Sequence, residues 1–201
     1  MMVDELFFCN EMAIASTSNP ASHARNAGGV IGNISRHLAL LGIPVKLVSV
    51  LGNDPDGDWL LQDCRQFGIT DEHILRVDEN TGKYASVLNE DGTLFVAACA
   101  DECSKYIDPA FLQHQSGLLE TASLIITDTN ISEDALAWLT AFSREKSIPL
   151  IIEPVSVAKA RKLSHIDISG VFMITPNEDE LSSVCKYNYE NSRSCLEELA
   201  A

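Results

Sequence analysis

The segment AGGVIGNISRHLALLG, residues 27–42, decides the fold that we predict for this chain. A glycine pair, Gly28-Gly29, opens it, and Gly42 closes it at a position where helices commonly end. Between them, apolar residues recur at helical spacing, at Ile34, Leu38 and Leu41. A glycine pair at the start of a helix lets a ligand approach the backbone closely, because no Cβ stands in the way and the first N–H groups are free. The segment therefore predicts either a binding loop for a polar small molecule or a tight loop ahead of a core helix.

Composition and charge restrict the classes of protein to which the chain can belong. Its 201 residues are 46% hydrophobic and 21% charged, which is typical of one globular domain, with or without a small appendage. A net charge of −15 disfavours binding to nucleic acid, which needs clustered Lys and Arg. No apolar run is long enough to span a bilayer, and the acidic start, MMVDE, is unlike a signal peptide. We therefore expect no nucleic-acid or membrane partner and a cytoplasmic location, with the six cysteines as free thiols.

Strand and helix patterns alternate along most of the chain. Strands are predicted at residues 45–50, 74–77, 124–127, 149–152 and 171–174. Helices are predicted after the glycine pair, at residues 59–67, 109–119, 132–146 and 157–163, and from Asn177 onward. Because the strands are too apolar to alternate, the pattern favours an α/β fold with a mainly parallel sheet that helices cover on both faces. One or two extended segments within residues 6–15 and a β-hairpin at residues 81–98 interrupt it, and the hairpin is either a lid or an edge of the main sheet.

Polar side chains follow three of the predicted strands at the point where each strand ends. Asp128 and Asn130 follow one strand, Glu153 follows the next, and Asn177 and Glu180 follow a third. Ligands of parallel α/β sheets bind beyond the carboxyl ends of the strands. One such residue alone is usually a helix cap, but three successive strands that deliver carboxylates and amides predict a site for hydroxyls, a metal or phosphate.

Several motifs resemble those of the PfkB-type (ribokinase-like) carbohydrate kinases. They are the Gly28-Gly29 pair with Asn33, LALLG at residues 38–42, GNDPDG at residues 52–57 and TPNEDE at residues 175–180. Two further segments, DTNISEDALAW at residues 128–138 and EPVSVAK at residues 153–159, are similar to segments of the pseudouridine kinase branch of that family. The resemblance covers almost the whole chain. It implies a ribokinase-like (Rossmann-like) fold, incomplete at both ends, with a β-lid contributed by about residues 5–17 and 81–98.

The resemblance also implies a reaction and a set of site residues. The reaction is transfer of the γ-phosphoryl group of ATP to a primary hydroxyl of a sugar or nucleoside, with Mg²⁺, and pseudouridine is the expected substrate. The implied substrate-binding residues are Asp4, which corresponds to an aspartate just after the family's first strand, and Gly28, Gly29 and Asn33. Asn177 and Glu180 are implied around the nucleotide, with Glu180 reaching the metal through water. Supporting roles are implied for Asp128, Asn130, Glu153 and Lys159.

Three departures from the family pattern shape the expectation for this chain. The chain starts at about Asp4, so we expect the family's first strand to be missing. At the base of the lid, the family's acidic motif is replaced by Cys99-Ala100-Asp101. No G-A-G-D segment, which in the family carries the general base, occurs in residues 1–201, so we assign no catalytic residue and expect this chain to be inactive by itself.

Two alternatives and two partner expectations accompany this interpretation. The chain is either part of a pseudouridine-type kinase or a non-catalytic short form that binds a sugar or a partner. A ribokinase-like or adenosine-kinase-like member with another substrate is the third possibility for the family branch. We expect a homodimer formed through the β-lid, and a fusion to a pseudouridine-phosphate glycosidase in the parent protein.

Overall fold

The computed structural model describes residues 1–185, and this part of the chain divides into two compact units, one of residues 1–104 and one that begins at residue 105. The strands of the first unit are β1 (Met2–Cys9), β2 (Ala21–Gly28), β3 (Ser49–Gly52), β4 (Ile74–Val77), β5 (Lys83–Leu88) and β6 (Leu94–Ala100), and its helices are α1 (Val30–Leu40) and α2 (Pro55–Gln66). The second unit contains α3 (Pro109–His114), α4 (Ser116–Leu119), β7 (Ile125–Asp128), α5 (Glu133–Lys146), β8 (Leu150–Glu153), α6 (Val157–Ala160), β9 (Met173–Ile174) and α7 (Glu178–Val184). No helix within residues 1–185 has the length and apolar character needed to cross a membrane.

The largest sheet of the first unit is mixed, with strand order β2-β1-β5-β6. β1 runs antiparallel to β2 and parallel to β5, and β5 runs antiparallel to β6. The expected parallel pairing is found in β3–β4 and in the sheet of the second unit, whereas this sheet is mixed because two hairpins, each returning antiparallel, supply all four strands. The sequence analysis missed β2: its sequence, ASHARNAG, is polar, and only Gly28 in it is buried. β1 also starts earlier than the predicted extended segment, at Met2.

The core of the first unit lies between α1, α2 and the parallel pair β3–β4. One cluster of buried side chains contains Val3, Leu51, Leu60 and Leu61, and another contains Leu47, Cys64 and Ile69. α2 begins at Pro55, four residues before the predicted start, because Asp54 caps it. The Oδ1 of Asp54 accepts a hydrogen bond from the Gly57 N–H at 2.7 Å, and proline is favourable in the first turn of a helix.

Asp54 also fixes the segment that leads into β5. Its Oδ2 accepts from the backbone N–H of Thr81 at 2.7 Å, and its Oδ1 accepts from the Thr81 hydroxyl at 2.6 Å. The same hydroxyl oxygen accepts from the Gly52 N–H at 3.0 Å. Burial opposes ionisation of Asp54, but the bonds from Thr81 and Gly57 and the nearby Arg76 outweigh it and lower the pKa of the carboxyl. The GNDPDG motif thus joins β3, α2 and the start of β5.

The second unit is built on a parallel sheet with strand order β7-β8-β9. Its core includes Leu136 and Leu139 of α5 and Leu150 and Ile152 of β8. The predicted helix at residues 132–146 is confirmed: Ser132 caps its N-terminus, and Ser147 ends it in the left-handed conformation at φ 56°. The predicted helix at residues 109–119 is instead two short helices separated at Gln115. The predicted alternation of strands and helices is confirmed.

Candidate functional site

In the first unit, Asp4 lies in the middle of a polar row that crosses the large sheet. Asp4 on β1 is paired with Asn26 on β2 and with Tyr84 on β5, so the three side chains lie on one face. Tyr84 is in turn paired with Cys99 on β6. Asp4 is the third residue of β1 and therefore lies within a strand. The resemblance implied a position just after a strand. Carboxylate, amide and phenol groups on one face can bind several hydroxyls of a small molecule.

Gly28 is necessary for the position of the Asp4 side chain. A Cβ added at Gly28 would lie 2.2 Å from the carboxyl carbon and from both carboxylate oxygens of Asp4. The carboxylate therefore lies directly over the bare backbone of Gly28, which no other residue would allow. Burial raises the pKa of Asp4, and the charge of Arg36 opposes this shift only in part. The sequence predicted both residues for the site but not that one makes room for the other.

Gly29 and Asn33 lie at the start of α1, next to this row. Gly29 has φ 85°, and α1 has no side-chain cap and no acidic residue in its first turn. No side chain therefore caps the first N–H groups of α1. Uncapped N–H groups of this kind can bind polar ligands. Asn33 is exposed; its N–H donates to the Gly29 carbonyl at 2.9 Å, and its Oδ1 accepts from Arg36 Nη2 at 2.5 Å.

Arg36 holds Asn33 and the end of β2 in place, and the sequence analysis missed it. It is only 8% exposed. Its guanidinium donates to the Ala27 carbonyl at 2.6 Å, to Asn33 and, at 3.1 Å, to Asp63. It therefore joins the end of β2 to α1 and fixes the amide of Asn33. No sequence signal pointed to this role, because Arg36 lies on the opposite side of the helix from the predicted apolar residues Ile34 and Leu38.

Two other residues of the first unit belong to the same face. Asp101 belongs to the motif that departs from the family pattern. Its Oδ1 would lie 3.1 Å from a Cβ added at Gly82, and it accepts a hydrogen bond from the Ser104 N–H at 3.2 Å. Ser86 on β5 is paired with Leu6 on β1, one row beyond Asp4. The Ser86 Oγ is the one fully buried side-chain polar atom of residues 1–185 without a hydrogen-bond partner. Such an unpaired hydroxyl costs about 1–3 kcal/mol.

In the second unit, Asp128, Asn130 and Lys159 form a chain of hydrogen bonds at the carboxyl end of β7. The two carboxylate oxygens of Asp128 accept from the Asn130 N–H at 2.9 Å and from its Nδ2 at 2.8 Å. The Asn130 Oδ1 accepts from Lys159 Nζ. Lys162, which the sequence analysis missed, donates to the Thr129 and Ile131 carbonyls at 2.9 and 2.7 Å, and burial lowers its pKa. Asp128 thus orients the amide that holds the ammonium group.

Glu153 is the last residue of β8, and a strained loop begins directly after it. Its Oε2 accepts from the Thr175 hydroxyl, which follows β9. Val155, two residues later, has φ 66°, a rare conformation for a β-branched residue, and the Ser156 N–H donates to the Pro154 carbonyl at 2.7 Å across it. Strain of this kind costs about 1–3 kcal/mol and is concentrated at functional sites. The loop lies between β8 and the helix that carries Lys159.

Asn177 and Glu180 form a capping box at the start of α7. The Asn177 Oδ1 accepts from the Glu180 N–H at 2.9 Å, and the Glu180 Oε2 accepts from the Asn177 N–H at 3.0 Å. Glu180 is 5% exposed. No group of three or more His, Cys, Asp or Glu side chains in the described part of the chain could hold a metal ion. One buried carboxylate with one oxygen already bonded suits contact with Mg²⁺ through water, and not a complete set of metal ligands.

The chain matches known proteins along nearly its whole length. Residues 3–201 match the family model described as pfkB family carbohydrate kinase. The chain is 31% identical over 183 residues to the pseudouridine kinase of Escherichia coli strain K12, a match that covers 90% of this chain and 58% of that protein. The chain thus spans little more than half of this relative.

Two solved structures show the same fold. A carbohydrate kinase from Agrobacterium tumefaciens superposes with a TM-score of 0.78 at 25% identity, over 98% of this chain and 64% of that one. The Arabidopsis thaliana ribokinase complexed with ribose and ATP superposes with a TM-score of 0.80 at 18% identity, over 99% of this chain and 65% of that one. These likenesses confirm the predicted ribokinase-like α/β fold.

Proposed function

Because the chain belongs to the pfkB family of carbohydrate kinases, we propose that the protein carrying it transfers the γ-phosphoryl group of ATP to a primary hydroxyl of a sugar or nucleoside. The observation that carries this proposal is the Asp4 carboxylate, which lies over the bare backbone of Gly28. A carboxylate held in this way can accept hydrogen bonds from neighbouring hydroxyls of a sugar. Gly29 and Asn33 at the start of α1 add polar groups for the same substrate.

The proposed substrate within this class is pseudouridine. It is supported by the 31% identity to the E. coli pseudouridine kinase and by the polar face of the large sheet. In the second unit, the Asp128–Asn130–Lys159 chain supplies an oriented amide and a cation, while Glu153 fixes the loop that leads to Lys159. Asn177 and Glu180 are the proposed nucleotide-side residues, with Glu180 contacting Mg²⁺ through water. When bound, Mg²⁺ neutralises charge on the phosphates.

The proposed substrate is tested by a coupled ATP-consumption assay on the gene product that carries this sequence. The panel is pseudouridine, ribose, adenosine and fructose, each with ATP and Mg²⁺. We expect pseudouridine to give the highest kcat/KM, with ribose and adenosine at least about tenfold lower, since the loss of one or two hydrogen bonds has that effect. Activity confined to fructose would contradict the nucleoside assignment but not the kinase class.

A non-catalytic binding protein remains the second candidate. The transcript beyond the codon for Ala201 distinguishes the two. An in-frame G-A-G-D segment supports the kinase, whereas a stop codon directly after Ala201 supports a form that binds a sugar without turnover. The cytoplasmic location that we propose fits both candidates and is supported by the free thiols of Cys9, Cys64, Cys99 and Cys103.

We also propose that the protein forms a homodimer through β6. This strand is one edge of the four-stranded sheet, and all seven of its residues, LFVAACA, are exposed and uncharged. Leu94 and Val96 are 56% and 52% exposed. An uncharged edge strand offers backbone groups that a second copy can pair with symmetrically. A lid role for residues 5–17 and 81–98 stays a prediction.

The dimer is tested by the molar mass in light scattering after gel filtration. We expect the mass of a dimer for the unmodified chain and of a monomer for Val96→Lys, because a charge on an edge strand opposes pairing. Glu90→Lys, in the exposed turn before β6, is the control for the added charge and should stay dimeric. A monomer at all concentrations up to about 100 μM, well above the range of stable interfaces, would overturn the proposal.

A further inference from the structure

Ser86 presents a buried hydroxyl that the fold itself leaves without a partner. The residue is 2% exposed, and its Oγ has no hydrogen-bond partner within residues 1–185. An alanine at this position would avoid the cost of the unpaired group and would fit the same strand. A serine here is therefore better explained by a partner that arrives with a ligand than by the stability of the free protein.

The register of the sheet determines where that ligand group would lie. Asp4 and Tyr84 are partners in one row, and Leu6 and Ser86 are partners in the next, so Ser86 lies diagonally across from Asp4 on the same face. Two residues of rise along a strand, combined with the spacing between neighbouring strands, place such diagonal neighbours about 8 Å apart. This distance is comparable to the separation between the hydroxyls of a pentose and a ring attached at its anomeric carbon. A sugar whose hydroxyls contact Asp4 can therefore reach Ser86 with its anomeric substituent.

The surroundings of Ser86 restrict the chemistry of that substituent. Ser86 is flanked in its row by Leu6 on β1 and by Ala97 on β6, both apolar, and Tyr84 precedes it on the same face. An apolar row with one hydroxyl suits a flat ring that has a polar edge. A serine hydroxyl both donates and accepts, so it can pair with either the C=O or the N–H of an imide edge. Because Ser86 is nearly fully covered, the side chains over it must move as the ring enters.

We propose that the Ser86 hydroxyl binds the polar edge of a pyrimidine-type base on the substrate, and so distinguishes a nucleoside from a free sugar. The proposal rests on the proposed function, since it places the sugar on Asp4. Ser86 acts in this scheme as a specificity residue, while Asp4 binds the part that nucleoside and free sugar share. The two roles can be separated because they lie in different rows of the sheet.

The test is isothermal titration calorimetry of the 201-residue chain with pseudouridine and with D-ribose. For Ser86→Ala we expect pseudouridine binding to weaken about five- to tenfold, the effect of one lost hydrogen bond, and ribose binding to stay unchanged. Ser86→Thr, which keeps the hydroxyl, should retain most of the preference for pseudouridine. The melting temperature of ligand-free Ser86→Ala should equal or exceed that of the unmodified chain, because no bond is lost.

The outcomes separate this proposal from the proposed function. If the unmodified chain binds pseudouridine and Ser86→Ala binds it equally well, Ser86 has no role in specificity and only this proposal fails. An equal loss for pseudouridine and ribose would also overturn it, because the residue would then act on the shared part of the ligand. If the gene product that carries this sequence binds neither ligand, the proposed function fails and this proposal fails with it.

Discussion

Asp4→Ala is expected to weaken pseudouridine binding by about 100-fold or more, without loss of stability. The carboxylate accepts two hydrogen bonds from substrate hydroxyls in the proposed function, and bonds to a charged group are each worth about 1.5–3 kcal/mol. The measurement is calorimetric titration of the 201-residue chain with pseudouridine, together with kcat/KM of the gene product that carries it. Binding within threefold of the unmodified chain would contradict the role of Asp4.

The matched control is Glu5→Gln, which changes the neighbouring carboxylate on the same strand. Glu5 is paired with Arg25 on β2 and points to the opposite face from Asp4, and its Oε2 lies 2.5 Å from His23 Nε2. Its replacement should leave pseudouridine binding unchanged. A general effect of charge on β1 would instead weaken binding in both variants.

The raised pKa of Asp4 adds a pH dependence whose direction is defined. Burial raises the pKa of Asp4 in the folded protein above its value in the unfolded chain, so the folded state binds the carboxyl proton more tightly. Asp4 therefore makes the fold less stable at pH values above the raised pKa, and stability increases as the pH falls through it. Substrate affinity should move in the opposite direction, because the protonated carboxyl is a poorer acceptor. Asp4→Asn should remove both dependences and melt at the same or a higher temperature.

Gly52→Ala is expected to destabilise the chain by about 3 kcal/mol or more, the largest effect on stability that we predict for a single methyl group. The added Cβ would lie 2.1 Å from the Glu79 carbonyl oxygen and 2.6 Å from the Thr81 nitrogen. These are backbone atoms, so no side-chain rotation can relieve the overlap. The segment is also fixed by Asp54, which accepts two bonds from Thr81. The measurement is urea denaturation followed by circular dichroism.

Gly117→Ala is the matched control for this prediction. Gly117 lies in α4, and nothing is within 4 Å of the Cβ that alanine would add. Alanine is preferred over glycine inside a helix, so this variant should be unchanged or more stable, by about 0.5–1 kcal/mol. If Gly52→Ala unfolds at the same urea concentration as the unmodified chain, the tight packing of β3 against residues 79–81 is not rigid.

Much of the local structure was predictable because a few neighbouring residues determine it. The glycine pair before α1, the Ser132 cap of α5 and the Asn177–Glu180 capping box are all motifs within one or two helical turns. The alternation of apolar strands with helices predicted the fold class, and the family motifs pointed to the site residues. The predicted start of α2 is wrong because Asp54, which caps the helix, lies in a segment that the sequence predicts as a turn.

Contacts between distant segments were not predictable in the same way. β2 has no apolar alternation, because its pairing with β1, rather than its own burial, makes it a strand. The sequence shows Arg36 only as a charged residue in a helix, because its hydrogen bonds with Ala27 and Asp63 form only in the folded structure.

The sequence by itself determined the alternation of strands and helices beyond the glycine pair and the N-terminal caps of α5 and α7, because these depend on periodicity and on caps within short stretches of chain. The candidate site residues came from the family motifs. Only the tertiary structure decided which strands pair, that the Asp4 carboxylate lies over Gly28, and that the Ser86 hydroxyl is buried without a partner. The physical reason is that strand register selects which side chains share a face. That register depends on backbone pairing between segments as far apart as residues 4 and 84, which no local pattern specifies.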